Sequence, residues 1–330
     1  MTRDAVLLMA YGGPRSLDEV EAYYTDIRRG SPPSPELLED LLRRYRAIGG
    51  ASPLSGIVEL QRSALEAELA NRGGAGAVRV YAGMRHIAPR IATVVEGLAR
   101  DGIERFVAIA LAPQRSSNGA GYRRAVEAGL AAVAGQDGPG GATPSATFVE
   151  SWHDEPGFIE ALARATREAL DRFEAPERVR LLFTAHSLPV RVVAEGDRYP
   201  DEIAATARLV AEQLGIADFE QCFQSAGRTG EEWLGPDLRD ELRRLAAEGV
   251  CDVVVSPVGF VAEHLEVLYD IDIEAQAVAR EVGIHLERPR SMNDDPTFIS
   301  AVADVATRAL GAGTATPEPA PAHALTGGSR

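Results

Sequence analysis

The chain has 330 residues, of which 45% are hydrophobic and 25% are charged, and this composition is ordinary for a globular protein of one or two domains. Its net charge of -15 argues against a nucleic-acid-binding surface, because such a surface needs a dominant basic face. The 2 cysteines exclude a disulfide framework, and they also exclude an iron–sulfur cluster held by four cysteines of one chain.

The amino terminus carries no apolar targeting segment. Residues 1–4 lead directly into a strand pattern at 5–10. No apolar run anywhere in the sequence reaches the length of about 18 residues that a membrane-spanning helix needs. We therefore expect no integral membrane association and a cytoplasmic location.

Strand patterns alternate with amphipathic helical patterns along the whole chain. The strand patterns lie at 5–10, 78–84, 106–113, 147–151, 179–185, 219–225, 252–260 and 284–287. This alternation predicts an α/β fold in which parallel sheets carry helices on both faces and are joined by right-handed crossovers.

The alternation breaks in the Gly- and Pro-rich segment 135–144, which indicates a loop near a domain boundary. About four strand patterns lie on either side of it. We therefore predict two similar Rossmann-like, doubly wound halves, 1–145 and 146–310, with a cleft between them. A tail at 311–330 is rich in Pro, Ala, Gly and Thr and is expected to be disordered.

The ends of two helices are marked early in the chain. Ser16 and Glu19 form a capping-box pattern, and Ser34 stands before a proline at the first helical position. Gly49 and Gly50 are expected to end the second helix, because glycine adopts the left-handed conformation that closes many helices.

Three carboxylates follow the strand pattern at 252–260 in steps of four residues: Glu266, Asp270 and Glu274. On an α-helix they share one face, where like charges oppose each other by roughly 0.2–0.5 kcal/mol per pair. A solvated acidic surface is the ordinary explanation of such a ladder. Its position at the carboxyl end of a buried parallel strand favours a ligand site instead, where a divalent metal neutralises the charge.

His186 ends the strand pattern at 179–185 and therefore lies at the corresponding edge of the second sheet. Neutral histidine accepts a proton and binds transition metals, although a histidine at a strand end is more often structural. The presence of Glu266 at the same edge favours the functional role. A Ser–His–Asp hydrolase that uses Ser187 or Ser116 is disfavoured, because the sequence lacks a Gly-x-Ser-x-Gly elbow after a strand. The glycine patterns of dinucleotide and phosphate loops are also missing.

Further polar residues follow the first three strand patterns: Tyr11, His86 and the segment 114–118. Arginines cluster in the helical patterns after the first strand. These are Arg28, Arg29, Arg43, Arg44 and Arg46. Arginine binds carboxylates in a bidentate manner, so the cluster suits an acidic ligand. The alternative is that these arginines only stabilise the carboxyl ends of helices.

Six separated motifs occur in order along the chain. They are Met9-Ala10-Tyr11-Gly12, Tyr23-Tyr24-Thr25-Asp26-Ile27-Arg28-Arg29-Gly30, Ala47-Ile48-Gly49-Gly50-Ala51-Ser52-Pro53-Leu54, Ala185-His186-Ser187-Leu188-Pro189, Trp233-Leu234-Gly235-Pro236-Asp237 and His264-Leu265-Glu266. A chain with these motifs resembles the ferrochelatases, and in particular the soluble coproporphyrin III ferrochelatases of Gram-positive bacteria, of actinobacterial and firmicute type. The resemblance extends from Val6 to Leu310.

The resemblance implies a lyase of heme biosynthesis. Such a metal chelatase inserts Fe(II) into coproporphyrin III, forms Fe-coproporphyrin III (coproheme) and releases two pyrrole protons. It also implies the chelatase-like fold, with a porphyrin cleft between the two halves. Fe(II) is then a substrate, no cofactor is tightly bound, and no [2Fe–2S] cluster is expected in a chain with 2 cysteines. The soluble relatives are commonly monomeric, and transient contact with the downstream coproheme-processing enzyme is implied by the pathway.

Residue roles follow from the same resemblance, motif by motif. It assigns catalysis and metal handling to His186 and Glu266 on one side of the porphyrin, and the product iron ligand to Tyr11 on the opposite side. Asp270 and Glu274 then form an accessory metal path. The porphyrin-binding positions are Tyr11, Arg28, Arg44, Ser52 and Tyr122, of which the last four fall where the family binds propionates.

Three alternatives remain at this point. A protoporphyrin IX ferrochelatase shares almost all of these motifs, but Tyr11 and the arginines favour coproporphyrin, which has four propionates where protoporphyrin has two. A cobalt chelatase of the corrinoid pathway shares the fold without this set of motifs. A non-catalytic tetrapyrrole or heme carrier is disfavoured by His186 together with Glu266, because a carrier does not need proton transfer.

Overall fold

A computed structural model describes residues 3–73, 78–117, 119–135, 143–227 and 230–312. Within these ranges, eight strands form two four-stranded sheets. The first sheet contains β1 (Asp4–Ala10), β2 (Arg79–Met84), β3 (Arg105–Ala110) and β4 (Ser145–Val149). The second sheet contains β5 (Arg180–His186), β6 (Phe219–Gln224), β7 (Asp252–Ser256) and β8 (His285–Glu287).

Every strand pair in these two sheets is parallel. The strand order is β2-β1-β3-β4 in the first sheet and β6-β5-β7-β8 in the second. The two orders coincide when each sheet is numbered from its own first strand. The predicted α/β fold with two similar halves is therefore confirmed.

Twelve α-helices connect the strands in the described parts of the chain. They are α1 (Val20–Ile27), α2 (Pro35–Ala47), α3 (Leu54–Gly73), α4 (Ile91–Arg100), α5 (Gly119–Val133), α6 (Pro156–Leu170), α7 (Val190–Ala194), α8 (Tyr199–Leu214), α9 (Leu238–Ala247), α10 (Leu265–Leu268), α11 (Gln276–Val282) and α12 (Pro296–Ala312). A π-helical segment, Asp270–Ala275, lies between α10 and α11. None of the helices in these ranges is long and apolar enough to cross a membrane.

All eight predicted strands are present, but four of them end earlier than the sequence patterns, two of these by three or four residues. The patterns at 106–113 and 252–260 end as strands at Ala110 and Ser256. Pro113 and Pro257 stand in the excess residues, and proline cannot donate a backbone hydrogen bond to a sheet. The residues that follow these two strand ends form loops at the carboxyl edges of the two sheets.

The central strands are buried on both faces, as the continuous apolar run in β1 predicts. Residues 5–10 of that strand are all buried. Helices cover both faces of a parallel sheet, so the side chains along the middle of a central strand pack in a core whichever face they point to. One core cluster extends across both sheets, from Val6 and Val107 in the first to Phe183 and Val254 in the second.

Helices α6 and α12 join the two halves. An aromatic cluster forms between them, with ring centroids of Trp152 and Phe158 5.2 Å apart and those of Phe158 and Phe298 6.4 Å apart. Strand β4 pairs with β3 from Ser145 onward. The chain therefore passes from the first sheet to the second after Val149, and the predicted boundary between residues 145 and 146 falls inside β4.

The predicted loop at 135–144 and the predicted tail at 311–330 lie mostly outside the described residues. Of the tail, residues 311 and 312 continue α12.

The helix-end predictions have mixed outcomes. Ser34 caps α2, because its hydroxyl accepts a hydrogen bond from the backbone of Leu37 at 3.3 Å. Gly50 adopts φ +92° and donates its N–H to Tyr45, which closes the same helix as predicted. The capping box at Ser16 is wrong: its side chain makes no cap hydrogen bond. Glu19 instead accepts from the backbone N–H of Arg15 at 2.8 Å.

Candidate active site

A cleft of about 460 Å³ opens at the carboxyl edges of the two sheets. Ligands of open α/β proteins bind at such edges, because the loops after the strands converge there. Ring-bearing, hydroxyl and other polar side chains line its wall together with apolar ones such as Leu54 and Leu188. The ring and polar groups include Tyr11, Tyr23, Tyr24, Tyr45, Ser52, Gln61, Gln114, Tyr122, His186, Tyr199, Trp233, Phe260, His264 and Glu266.

His186 is the last residue of β5, where it pairs with Gln224 of β6. Its Nδ1 lies against the carbonyl of Ser187, so Nδ1 carries a hydrogen and donates it. This contact turns Nε2 towards the cleft, where it lies 3.5 Å from an oxygen of the Glu266 carboxylate. The structure thus brings together the two residues that the sequence placed at the same sheet edge.

Glu266 is held between two imidazoles. Its second carboxylate oxygen lies 3.6 Å from Nε2 of His264, whose Nδ1 is 2.9 Å from the carbonyl of Ala262. The backbone carbonyl of Glu266 accepts a hydrogen bond from the Gln224 amide at 2.8 Å. The sequence analysis gave no role to His264, although its position two residues before Glu266 at the start of a helix could have indicated one.

The charge state of this pair follows from its surroundings. Burial disfavours a charged imidazole, but the Glu266 carboxylate outweighs burial and raises the pKa of His186 to about 9. Burial also disfavours the carboxylate, yet the His186 cation holds the pKa of Glu266 well below its usual range. At neutral pH the pair therefore consists of an imidazolium beside a carboxylate.

Tyr11 stands on the first half's side of the cleft. Its ring packs on His86 with centroids 4.3 Å apart, and the Arg85 guanidinium lies 5.7 Å from its centre. Burial raises the pKa of Tyr11 to about 12, with Arg85 opposing the effect, so the phenol is protonated at neutral pH. The adjoining Gly12 adopts φ +86°, and its carbonyl accepts a hydrogen bond from Tyr23 at 2.7 Å.

A buried imidazole, paired with a half-buried carboxylate, supports the Tyr11 wall. His86 Nδ1 lies 2.7 Å from Asp26, which also binds Arg90 at 2.8 and 3.0 Å. Burial lowers the pKa of His86, so its ring is neutral. Of the described residues, none offers a hydrogen-bond partner to its Nε2. This packing fixes the plane of the Tyr11 ring. The contact between residues 26 and 86 could not be predicted from their spacing in the sequence.

The residues proposed for propionates occupy different places. Ser52 and Tyr122 lie on the cleft wall. Arg28 is exposed just after α1, where its Nε donates to the carbonyl of Ser31 at 3.3 Å. Arg44 lies outside the cleft wall, bound to Asp40 at 3.0 Å and to Asp270 at 3.4 Å. The structure therefore does not bring the two arginines together with the two hydroxyl residues.

The acidic ladder leads from the cleft into a second, smaller pocket. Glu266 lines the cleft, Asp270 and Glu274 line a polar pocket of about 120 Å³, and Ser225 lines both. Burial raises the pKa of Asp270 to about 6, against the opposing hydrogen bond from Ser225. The expected α-helix is wrong at residues 270–275, which are π-helical, and such turns often occur at functional sites.

Preformed metal ligation is limited in the described part of the chain. It contains no group of three or more His, Cys, Asp or Glu side chains placed to hold a metal ion. Cys222 is buried and Cys251 is exposed. Burial raises the pKa of Cys222 to about 12, so its thiol is protonated and packs as an apolar group.

The fold and the site define an α/β protein of the chelatase type, with a histidine–carboxylate pair in a cleft between two halves. Among solved structures, the chain is similar to SirB from Bacillus subtilis with Fe3+, at a TM-score of 0.55 and 11% identity, covering 93% of this chain and 95% of that one. It is also similar to DR2241 from Deinococcus radiodurans, described as having structural similarity to chelatases, at a TM-score of 0.53 and 15% identity, covering 94% and 56%. At these identities the likeness concerns the fold.

The chain belongs to the ferrochelatase family, since the family model described as Ferrochelatase matches residues 3–310. A ferrochelatase of Herpetosiphon aurantiacus is 43% identical over 308 residues, covering 92% of this chain and 98% of the relative. A coproporphyrin III ferrochelatase of a Geobacillus species is 41% identical over 309 residues, covering 92% and 97%. The protein is thus a metal chelatase whose substrates are ferrous iron and a porphyrin.

Proposed function

We propose that this enzyme inserts Fe(II) into coproporphyrin III, which yields Fe-coproporphyrin III and two protons. The observation that carries the insertion chemistry is the His186–Glu266 contact of 3.5 Å on the wall of the cleft. The choice of coproporphyrin is supported by relatives named coproporphyrin III ferrochelatase at 40% to 42% identity. Tyr11 in the opposite wall supports it as well.

The protonated His186–Glu266 pair sets the order of proton transfers. At neutral pH the imidazole already holds a proton, so it cannot accept one from a pyrrole N–H in that state. A ferrous ion that approaches Glu266 replaces the imidazolium as the partner of the carboxylate, and His186 then releases its proton. The neutral imidazole is free to accept a pyrrole proton, while the carboxylate suits the hydrated ion.

Asp270 and Glu274 supply the accessory path for the metal in this proposal. The small pocket joins the cleft through Ser225, and its two carboxylates attract a divalent cation. Arg44 and Arg239 lie in the same pocket and lower its negative charge. A ferrous ion therefore binds in the small pocket only weakly, and it can move on to Glu266 in the cleft.

The propionate groups of the porphyrin need hydrogen-bond partners, and the residues that can supply them differ between the wall and the rim of the cleft. Ser52 and Tyr122 offer hydroxyl groups on the wall, and Arg28 lies next to Ile27, which lines the cleft at its rim. In this proposal Arg28 binds a propionate at the rim through a charge-assisted hydrogen bond. Arg44 is the weaker candidate, because it lies outside the cleft wall and its charge is already paired with two carboxylates.

The remaining parts of the proposal concern the enzyme as a whole. The two functional halves correspond to the predicted 1–145 and 146–310, although the chain leaves the first sheet only after Val149, and His186 and Glu266 lie in the second half. The enzyme acts as a cytoplasmic monomer, has no tightly bound cofactor and hands coproheme to a downstream enzyme by transient contact. Size-exclusion chromatography with light scattering tests the monomer directly.

The test of the proposed reaction is anaerobic ferrous iron insertion, followed by the change in porphyrin absorption. Coproporphyrin III and protoporphyrin IX are offered separately to the purified protein. We expect a clear preference for coproporphyrin III and no insertion by His186→Ala. Preference for protoporphyrin IX contradicts the substrate assignment and leaves the chelatase. Tight porphyrin binding without insertion by the unmodified protein indicates a carrier.

A further inference from the structure

Asn293 lies in the turn before α12. Three of its own polar groups form hydrogen bonds, and these reach two separate parts of the protein. Its N–H donates to the carbonyl of Val261 at 2.9 Å, and its side-chain oxygen accepts from the N–H of Glu263 at 3.0 Å. Its own carbonyl accepts from the Gln61 side-chain amide at 2.8 Å. One residue therefore connects α3 of the first half to the segment that leads to Glu266.

The backbone of Asn293 is specialised for this connection. Its φ of +47° lies in the left-handed region, which few residues other than glycine adopt and which asparagine tolerates. Unusual backbone conformations persist where several contacts determine them together. Here the three hydrogen bonds do so, and two of them end on residues 261–263.

The hydrogen bonding of the buried Gln61 amide is not explained by stability alone. The residue is buried on the face of α3 that lines the cleft with Leu54 and Val58. Its amide nitrogen binds Asn293, whereas its amide oxygen is buried without a hydrogen-bond partner among the described residues. A buried acceptor without a partner is destabilising. The bond to Asn293 therefore decides how this amide is oriented.

The connected segment carries the catalytic groups on one side only. His264 and Glu266 line the cleft, and so do Val261 and Ala262. The Glu263 carboxylate points the other way, towards Arg288 at 3.1 Å. The segment is thus held by hydrogen bonds on the side that faces away from the cleft. Its other side lines the cleft, where the reaction takes place.

We propose that Gln61 and Asn293 are positioning residues for metal insertion. They hold the segment 261–266, and with it the Glu266 carboxylate, at a set distance from the Tyr11 wall on the other half. The inference rests on the proposed role of Glu266 and does not depend on which porphyrin is the substrate. Misplacement of a reacting group by about 1 Å costs up to a hundredfold in rate, so losing one link is expected to cost about tenfold.

Two variants remove the link at its two ends. Gln61→Met keeps the length of the side chain and removes the amide, and Asn293→Gly keeps the left-handed backbone and removes the acceptor for Glu263. We expect kcat for iron insertion to fall about tenfold in each, while the porphyrin KM changes less than about twofold. The thermal midpoint is expected to move by less than about 2 °C in Gln61→Met, because the variant also removes the unpartnered oxygen.

A matched control is Gln276→Met, which removes an amide-to-carbonyl bond of the same 2.8 Å length, between Gln276 and Leu286, away from the cleft. We expect its kcat to be unchanged. The double variant Gln61→Met/Asn293→Gly should be no slower than Gln61→Met alone, because Gln61→Met already cuts the connection to α3 that Asn293→Gly only weakens.

Several outcomes overturn the inference. Unchanged kcat in both single variants does so, and so does an equal loss of kcat in Gln276→Met, or additive losses in the double variant. Glu266→Gln, measured in parallel, separates this inference from the proposed function. Full activity in that variant contradicts the role of Glu266 itself. Loss of activity there, with normal kcat in the two link variants, contradicts only the positioning role.

Discussion

Replacing Glu266 by glutamine is expected to change the protonation of His186 more than any other single substitution. The Glu266 carboxylate lies 3.5 Å from the imidazole Nε2 and is the main cause that raises its pKa to about 9. Glutamine keeps the size and removes the charge. Burial is then the largest remaining influence, and burial favours neutral imidazole, so the pKa of His186 falls.

The energy of the interaction between His186 and Glu266 follows from the difference between the raised pKa of His186 and its ordinary value. A fall of the pKa from about 9 to 6.5 corresponds to about 3 kcal/mol of charge interaction. His186 and Glu266 keep 31% and 34% of their side-chain exposure, and water in the cleft screens charges. We therefore expect the variant to lose about 2 kcal/mol of this interaction.

The assay is an NMR titration of the imidazole carbons in histidine-labelled protein, which contains 6 histidines. His186→Ala identifies the resonance by its disappearance. The unmodified protein should show it titrating near pH 9, and Glu266→Gln should move the midpoint to a clearly lower pH. Glu274→Gln is the control, since its carboxylate lines the smaller pocket. A His186 midpoint near 6.5 in the unmodified protein, or one that Glu266→Gln leaves unchanged, would refute the reasoning.

The same pair makes stability depend on pH in a defined direction. The raised pKa of His186 contributes stability that is complete below 6.5 and is lost as the pH rises through about 9. The lowered pKa of Glu266 contributes stability that is complete above 4.5 and is lost at lower pH. The difference in unfolding free energy between the unmodified protein and Glu266→Gln should therefore be largest between pH 4.5 and 6.5. Urea unfolding across this range measures it.

Five further substitutions test other parts of the structure. Tyr11→Phe should weaken binding of Fe-coproporphyrin III about tenfold in an absorption titration, and unchanged affinity contradicts an iron ligand at this position. Arg28→Ala should raise the coproporphyrin KM more than Arg44→Ala does, because Arg44 is held by two carboxylates; the reverse order in steady-state kinetics contradicts the rim assignment. Gly12→Ala should cost about 1–3 kcal/mol of unfolding free energy, since φ is +86° and an added Cβ meets a neighbouring side chain at 2.7 Å; a neutral urea midpoint contradicts this. Phe158→Ala should cost about 3–5 kcal/mol by the same measurement, and a smaller loss shows that the aromatic cluster between α6 and α12 can close the cavity.

Local sequence patterns predicted the elements well where one physical cause dominates. The strands appear as apolar runs because parallel strands are buried on both faces, and their carboxyl ends predicted that His186 and Glu266 would lie at neighbouring edges. The capping prediction at Ser34 is correct because the cap involves only residues a few positions apart. The pattern at Ser16 failed because Arg15 competes for the Glu19 carboxylate.

The helix type at the acidic ladder could not be predicted from spacing. Steps of four residues are compatible with an α-helix, but residues 270–275 form a π-helix. Tyr269 at its start is fixed by Arg43 and Arg44, which belong to α2 of the first half. Contacts across the fold thus act on this segment in addition to its own propensity.

By itself the sequence determined the α/β class, the two matching halves and the ferrochelatase motifs, and it placed His186 and Glu266, the pair proposed for catalysis, at one sheet edge. These features depend on residue type and on periods of a few residues, which are visible along one chain. The tertiary structure decided the rest: His264 beside Glu266, Arg44 on Asp270 and Gln61 on Asn293. Arg44 and Asp270 are 226 positions apart, and Gln61 and Asn293 are 232 apart. No local rule relates residues at such separations, because their distance is set only when both halves pack against each other.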